Sequence, residues 1–376
     1  MQTLPLALFL VLLELTVGAF VTLFALDVRG DTSRGYILFQ GMLYAVFGLL
    51  TYGAMRAYAE PALLRGFGLD SAWLAWQGVL VTTFCLLLIP WNILLWLSPT
   101  PKRGAMSRIA QATAHASAVS PAVPAETGAA LGPADLPETD PPPFYTTHNA
   151  AAMSLATGPA PTGHRIKLAR HAVGALTALA GLAAIFAVGM AYRPLADARL
   201  GGALVVGTFL AGALALGGVT TAMLLGHWYL NTPSASGKPL EFSTALLLGA
   251  LLAELIFSLA LGPSTAHPLA GAVTIAPGTT IQTSGQTVVV TTPTPLPGDH
   301  VTAVAPPREA PLDTGAMIWL QYVLGFLAPL GLGGIALWLT RGRSFQSATG
   351  MLYLCMAFVF IGEIIGRGLL LFPILL

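Results

Sequence analysis

Charged residues are scarce in this chain. Aspartate, glutamate, lysine and arginine together make up 9% of its 376 residues, against about 25% in soluble domains. A soluble fold could not cover its surface with so few charges. The formal net charge of +1 gives no reason to expect nucleic acid as a partner.

Cysteine is also scarce. The two cysteines, Cys85 and Cys355, lie in separate apolar runs, without the CxxC or ferredoxin-like spacing that holds iron–sulfur clusters or covalent haem. We therefore expect no intrinsic iron–sulfur cluster. The first apolar run has no basic residues ahead of it and is interrupted by Glu14, so we interpret it as a retained helix and not a cleaved signal peptide.

Long apolar stretches are abundant in the sequence. Hydrophobic residues make up 55% of the chain, and the mean hydropathy is +0.75. A membrane-spanning helix needs about 20 mostly apolar residues. Eight stretches qualify, roughly 4–26, 36–58, 73–97, 172–192, 201–228, 242–262, 316–340 and 347–372. The sequence thus predicts an all-α, polytopic membrane helix bundle with about eight transmembrane helices.

Two long polar insertions separate the spans into groups. The first, 98–169, is rich in Ala, Pro, Ser and Thr, a composition that predicts a disordered linker. The second, 263–314, contains two short β-prone runs on either side of Ser284-Gly285, which predict a small β-hairpin. The predicted divisions are spans 1–3 in 1–97, the linker in 98–169, spans 4–6 in 170–262, the insertion in 263–314 and spans 7–8 in 315–376.

The distribution of lysine and arginine predicts the orientation. Cytoplasmic loops of membrane proteins carry an excess of these residues. Eleven of the 17 lie in the first, third, fifth and seventh loops, and five lie in the second, fourth and sixth. We therefore expect the linker 98–169 in the cytoplasm, with both termini and the second insertion outside the cell's inner membrane.

Three carboxylates lie well inside predicted spans: Glu14, Glu254 and Glu363. Charge inside a bilayer costs roughly 2.5–3.5 kcal/mol or more, so it needs a reason. At about 1.5 Å per residue, Glu14 and Glu254 lie about 18 Å, and Glu363 about 24 Å, from the cytoplasmic ends of their helices. Their similar depth favours one shared cavity, where they would exchange protons near neutral pH. The alternative is that each bonds a neighbouring helix.

Two further kinds of polar side chain accompany these carboxylates. Arg367 follows Glu363 by four residues, so the two share a helix face and can pair. His227, beside Trp228 and Tyr229, ends the fifth span, and we interpret it as a ligand contact. His171 and His227 at the cytoplasmic side could ligate a haem b, but His171 directly follows Arg170 and is interpreted as interfacial. We expect no intrinsic haem.

The two ends of the chain resemble a known family. The segment Leu4-Pro5-Leu6-Ala7-Leu8-Phe9, followed by Val17-Gly18-Ala19-Phe20, looks like the opening of membrane-anchor subunits of dimethyl sulfoxide reductase-type enzymes. The segment Gly362-Glu363-Ile364-Ile365-Gly366-Arg367 resembles their closing Gly-Glu-x-x-Gly-Arg motif. The eight spans and outward termini also agree with the related polysulfide reductase anchors. The match covers roughly the first 20 and last 30 residues.

The resemblance implies a quinone-binding subunit without its own metal cofactor. Its partners would be an extrinsic iron–sulfur subunit, a catalytic subunit and membrane lipid, and its quinone would be menaquinone. Glu14, Glu254 and Glu363 are our candidate proton acceptors, and Glu363, Arg367 and His227 are candidate quinone contacts. His227 is expected on the opposite side of the membrane from Glu363, so we favour the carboxylates as the site.

Two other functions fit the same residues. Buried carboxylates also serve proton-coupled transporters, which often contain structural repeats. The only sign of a repeat is a short echo, Gly41-Met42-Leu43-Tyr44 against Gly350-Met351-Leu352-Tyr353. The third interpretation is a structural membrane subunit of a larger complex.

Overall fold

The computed structural model describes residues 4–57, 69–98, 161–195, 199–232, 235–262, 280–284, 287–291 and 314–375. Its α-helices are α1 (Leu4–Arg29), α2 (Arg34–Ala57), α3 (Ser71–Leu97), α4 (Pro161–Tyr192), α5 (Ala203–Asn231), α6 (Lys238–Leu261), α7 (Thr314–Leu320), α8 (Ala328–Arg341) and α9 (Phe345–Leu375). A π-helical segment, Gln321–Leu327, joins α7 to α8. Two 3₁₀ turns, Arg193–Leu195 and Arg199–Gly202, lie between α4 and α5.

Eight helical spans in the described residues are long and apolar enough to cross a membrane, where α7, the π-helical segment and α8 form one span. This confirms the predicted helical bundle, and the chain is a multi-pass membrane protein. Helix α4 begins at Pro161, earlier than the apolar run that starts at 172. An apolar run marks only the part of a helix that can cross the membrane, and the helix itself can continue into polar residues. It therefore includes Arg165 and Lys167, so the prediction of a disordered linker up to residue 169 is wrong for residues 161–169.

Helices α1 and α5 lie at the centre of the bundle and are the most buried spans. They approach so closely that a Cβ atom on Gly18 would overlap the Ala213 carbonyl, and one on Gly217 would overlap the Gly18 backbone. Small residues at such crossings let helix backbones touch, which drives packing where lipid weakens the hydrophobic effect. The other spans surround this pair, and α3 exposes apolar residues such as Leu86 and Ile89.

Hydrogen bonds between spans hold α2 against the central pair. The Tyr36 hydroxyl donates to the Thr221 carbonyl oxygen at 2.8 Å, and the Tyr44 hydroxyl lies 2.8 Å from Thr221 Oγ1. Farther along α2, Thr51 Oγ1 lies 2.9 Å from Thr16 Oγ1 on α1. Each such bond between membrane helices contributes about 0.6–2 kcal/mol. They fix α2 along most of its length.

The Gly-Met-Leu-Tyr echo occupies two different environments. Tyr44 is fully buried and bonded to Thr221, whereas Tyr353 is about half exposed and lies 3.4 Å from His227 Nδ1. Equivalent positions of a structural repeat should have similar surroundings. The echo therefore gives no support for a repeat.

The two polar insertions lie mostly outside the described residues. Residues 97–169 form a unit separate from the rest of the chain, and its described part is limited to 97–98 and the first turns of α4. In the second insertion, β1 (Thr280–Ser284) and β2 (Thr287–Thr291) pair antiparallel, with Thr280 opposite Thr291. The turn between the strands and the flanking residues are not described, so a folded hairpin in this insertion stays a prediction.

Candidate functional site

Arg367 on α9 gathers the three membrane carboxylates around its guanidinium group. Its Nε donates to Glu14 Oε2 at 3.0 Å, and its Nη2 lies 3.0 Å from Glu363 Oε2 and 3.8 Å from Glu254 Oε1. Glu14 Oε1 lies 2.6 Å from Nη2, at an angle unsuited to a hydrogen bond. We call these four residues the Arg367 cluster. All four are at most 5% exposed.

The cluster contains more acid than base. Three carboxylates against one guanidinium give a net charge of −2 when all four groups are ionised. Two buried charges without partners would be costly in the membrane, so two bound protons give the stable, neutral state.

Helix α5 forms one wall of the Arg367 cluster. The Thr208 carbonyl oxygen accepts a hydrogen bond from Arg367 Nη2 at 3.3 Å, and the Phe209 ring lies under the guanidinium at 4.3 Å. A Cβ atom on Gly212 would lie 2.7 Å from Glu363 Oε1 and 3.1 Å from Glu254 Oε1. Glycine at 212 therefore allows the acids from α6 and α9 to come together against α5.

Helix α9 turns its glycines and its charged residues toward different neighbours. Gly362 is in backbone contact with Gly325 of the π-helical segment, and a Cβ atom on Gly366 would lie 2.6 Å from Gln321 Nε2. Glu363 and Arg367 follow these glycines by one residue each, so they point about 100° farther around the helix, into the cluster. The Gly-Glu-x-x-Gly-Arg segment thus joins the π-helical segment to the acids.

The sequence predicted part of this arrangement. The similar depth of Glu14, Glu254 and Glu363 and the pairing of Glu363 with Arg367 agree with the structure. The contact between Arg367 and Glu14, which is the shortest in the cluster, was not predicted from the sequence. The backbone and ring contacts of α5 were also not predicted. The signal in the sequence that could have predicted these contacts is an arginine near the end of a span, in a chain whose spans also contain three acids.

His227 lies apart from the cluster, as expected. It is exposed near the end of α5, where its Nδ1 lies 3.4 Å from the Tyr353 hydroxyl. Fifteen residues of α5 separate it from Gly212, or about 22 Å along the axis. His227 therefore cannot contact a headgroup that is bound at the Arg367 cluster.

His171, the other haem candidate, has a different neighbour. Its Nε2 lies 3.7 Å from Asp27 Oδ2, and Asp27 accepts a hydrogen bond from Arg170 at 3.0 Å. Within the described part of the chain, no group of three His, Cys, Asp or Glu side chains is arranged to hold a metal ion. In the Arg367 cluster, the guanidinium group occupies the position between the acids that a metal cation would need.

No protein-family model, curated protein or solved structure matches this chain. Its function is therefore inferred from the chemistry of the Arg367 cluster.

Proposed function

We propose that the chain is a quinone-interacting membrane-anchor subunit of a respiratory electron-transfer complex. The observation that carries this proposal is that the Arg367 cluster contains three carboxylates and one guanidinium, so two carboxylates are in excess. A cluster that is neutral with two protons bound can exchange two protons with a substrate. Quinol oxidation releases two protons and two electrons.

A bound quinol, when oxidised, supplies the two electrons and two protons of this reaction. The neutral cluster has one ionised carboxylate, so it accepts the two quinol protons one after the other and passes the first proton on before it accepts the second, while an extrinsic iron–sulfur subunit accepts the two electrons. Arg367 remains charged and holds Glu14 and Glu363 in place while their protonation changes. Because Glu254 makes the longest contact with Arg367, at 3.8 Å, it is the carboxylate freest to pass protons onward.

The surroundings of the cluster suit an apolar ligand with a polar headgroup. Such ligands bind in mostly apolar sites with a few well-placed polar groups. Phe209 is buried against Arg367, while Ile361 and Ile364 on α9 face outward toward lipid. An isoprenoid tail can therefore remain in the bilayer while the headgroup reaches the charged side chains.

The rest of the proposal concerns membrane, orientation and partners. The chain would lie in the inner membrane with both termini and the 263–314 hairpin insertion outside, and with the linker between α3 and α4 inside. It would bind menaquinone and serve an iron–sulfur subunit that feeds a catalytic subunit. These assignments follow from the lysine and arginine distribution and from the terminal segments that resemble dimethyl sulfoxide reductase-type anchors.

A proton-coupled transporter is the second candidate, favoured by the π-helical segment beside the cluster. Interrupted helices next to buried charges are common at transporter binding sites. A transporter would work as an isolated chain in vesicles, whereas an anchor would copurify with an iron–sulfur subunit. Copurification of the tagged chain from native membranes, with iron and acid-labile sulfide measured, separates the two.

The test of the proposed function is quinol oxidation by membranes that contain the whole complex. Glu14→Gln, Glu254→Gln and Glu363→Gln each keep size and hydrogen bonding but remove one proton acceptor. We expect each to slow quinol oxidation about 10²-fold or more, the usual contribution of a positioned proton acceptor. Protein level in the membrane is measured in parallel.

The matched control is Glu241→Gln, which changes an acid in the first turn of α6, outside the cluster. It should leave turnover unchanged. Normal turnover and normal quinol affinity in all three cluster variants would overturn the proposed function and leave the carboxylates as structural groups.

A further inference from the structure

Gln321 stands out because it is a neutral polar side chain inside an apolar span. It is the first residue of the π-helical segment and is half-buried. Among the described residues it makes no side-chain hydrogen bond with protein. Most polar groups in membrane spans are bonded to a neighbouring helix, so an amide here without such a bond is available to a ligand.

The position of Gln321 relative to the Arg367 cluster is fixed by two contacts. Its Nε2 would lie 2.6 Å from a Cβ atom on Gly366, the residue directly before Arg367. One turn farther along the π-helical segment, Gly325 touches Gly362, the residue directly before Glu363. The Gln321 amide therefore lies against α9 at the level of the cluster, on the glycine face that adjoins the face with Glu363 and Arg367.

The apolar side chains around Gln321 are exposed on the outside of the bundle, where lipid would contact them. Trp319 and Leu320, just before it, and Val323 and Leu327, farther along, are all exposed. A π-helical segment is rare and is frequently found at functional sites. Here it places an amide between exposed apolar side chains and the α9 segment that carries the buried charges.

We propose that Gln321 is the residue that binds the quinone carbonyl at the lipid side of the Arg367 cluster, donating a hydrogen bond from its Nε2. This inference rests on the proposed function. An amide N–H donor suits a quinone carbonyl oxygen, and the amide oxygen can accept from a quinol hydroxyl. Gln321 therefore orients the headgroup without taking its protons, which remains the task of the carboxylates.

A binding residue and a proton acceptor differ in their kinetic effects. Loss of a hydrogen bond that is made equally in substrate and transition state raises KM and leaves kcat unchanged. We therefore expect Gln321→Met, which keeps the shape of the side chain, to raise KM for a short-chain menaquinol analogue about fivefold. Its kcat should stay within about twofold of wild type, and Gln321→Asn, which retains an amide, should recover part of the affinity.

The matched control is Gln346→Met, which changes an exposed glutamine at the start of α9, at the opposite end of that helix. The same analogue is also titrated directly against the purified complex by quenching of tryptophan fluorescence. This measures binding without turnover, and Gln321→Met should weaken it by the same factor while Gln346→Met should not.

The outcomes distinguish this inference from the proposed function. If Gln321→Met has unchanged KM and analogue affinity while Glu363→Gln loses turnover, Gln321 is not the binding residue and the proposed function stands. A loss of kcat with unchanged KM would also overturn the assignment. If the analogue does not bind the wild-type complex at all, both proposals fail.

Discussion

At the residue scale, the Arg367 cluster differs from a simple ion pair in having unequal partners. Glu14 makes both the 2.6 Å and the 3.0 Å contact with Arg367, Glu363 makes one at 3.0 Å, and Glu254 makes one at 3.8 Å. Because three acids surround one guanidinium, removing one acid still leaves Arg367 with carboxylate partners, and the cost is that of the lost contact, about 1.5–3 kcal/mol for a hydrogen bond to a charged group. The four side chains should therefore contribute unequally to stability.

The first prediction ranks the acids by their contribution to stability. Glu14→Ala should lower the free energy of unfolding most, by about 2 kcal/mol, because it removes the carboxylate that accepts the hydrogen bond from Arg367 Nε. Glu363→Ala should cost less, and Glu254→Ala least. Unfolding of the purified protein by sodium dodecyl sulfate in mixed micelles gives the three values, with Glu241→Ala as the control. A larger loss for Glu254→Ala than for Glu14→Ala would contradict the ranking.

The sequence predicted the depth of the acids and the pairing of Glu363 with Arg367, but not the contacts between different helices. Depth follows from counting along a helix of known rise, and the pairing of Glu363 with Arg367 follows from the helical period. The rotation of one helix about its axis relative to another does not follow from either. Glu14 and Arg367 are 353 positions apart, so their contact depends on the packing of α1 against α5 and α9.

At the scale of elements, α5 determines how close the acids can come. Its small residues allow α1 to touch it on one side at Gly217, and the acids of α6 and α9 to reach it at Gly212. A sequence rich in Gly and Ala predicts close packing, but which glycine faces which neighbour depends on the whole bundle. The role of Gly212 therefore does not follow from the sequence alone.

The second prediction concerns Gly212. In Gly212→Ala the new Cβ would press on the side chains of Arg367, Glu363 and Glu254, and overpacking of this kind costs about 1–3 kcal/mol. Gly249→Ala on α6 is the control, because a Cβ atom there meets no other atom within 4 Å. It should be neutral or stabilising by up to about 1 kcal/mol, since alanine favours the helix.

The comparison uses the same unfolding measurement for both alanine variants. Equal effects of the two substitutions would mean that Gly212 does not limit the approach of the acids. Quinol oxidation in membranes with Gly212→Ala should also fall, because the cluster is displaced. If Gly212→Ala is destabilised but keeps full turnover, Gly212 contributes to packing and not to quinol oxidation.

At the scale of the whole molecule, the cluster lies toward one end of the bundle. Arg367 is four residues from the end of its span at Leu371, and Arg29 and Arg34 mark the opposite end, where α1 ends and α2 begins. The positive-inside rule assigns that opposite end to the cytoplasm. The proposed proton release would then occur on the outer side of the membrane.

The third prediction tests this orientation. With Cys85 and Cys355 changed to alanine, Ser120→Cys in the linker and Ser284→Cys in the second insertion provide single reactive thiols. A membrane-impermeant maleimide should label Ser284→Cys from outside intact cells, and Ser120→Cys only after permeabilisation. Labelling of both positions from the same side would contradict the eight-span topology. The double alanine variant without a new cysteine gives the background.

The contact between Glu14 and Arg367 also has a consequence for biosynthesis. Glu14 enters the membrane with the first helix. Its cationic partner, Arg367, is 353 residues away and is synthesised roughly 20–70 s later, at about 5–20 residues per second. During that interval Glu14 and then Glu254 have no arginine to compensate them, so they must be inserted in the protonated form or shielded by the insertion machinery. Completion of the charged centre is therefore tied to insertion of the last helix, and a ribosome that stops before α9 leaves a chain with unmatched acids that membrane quality control can recognise.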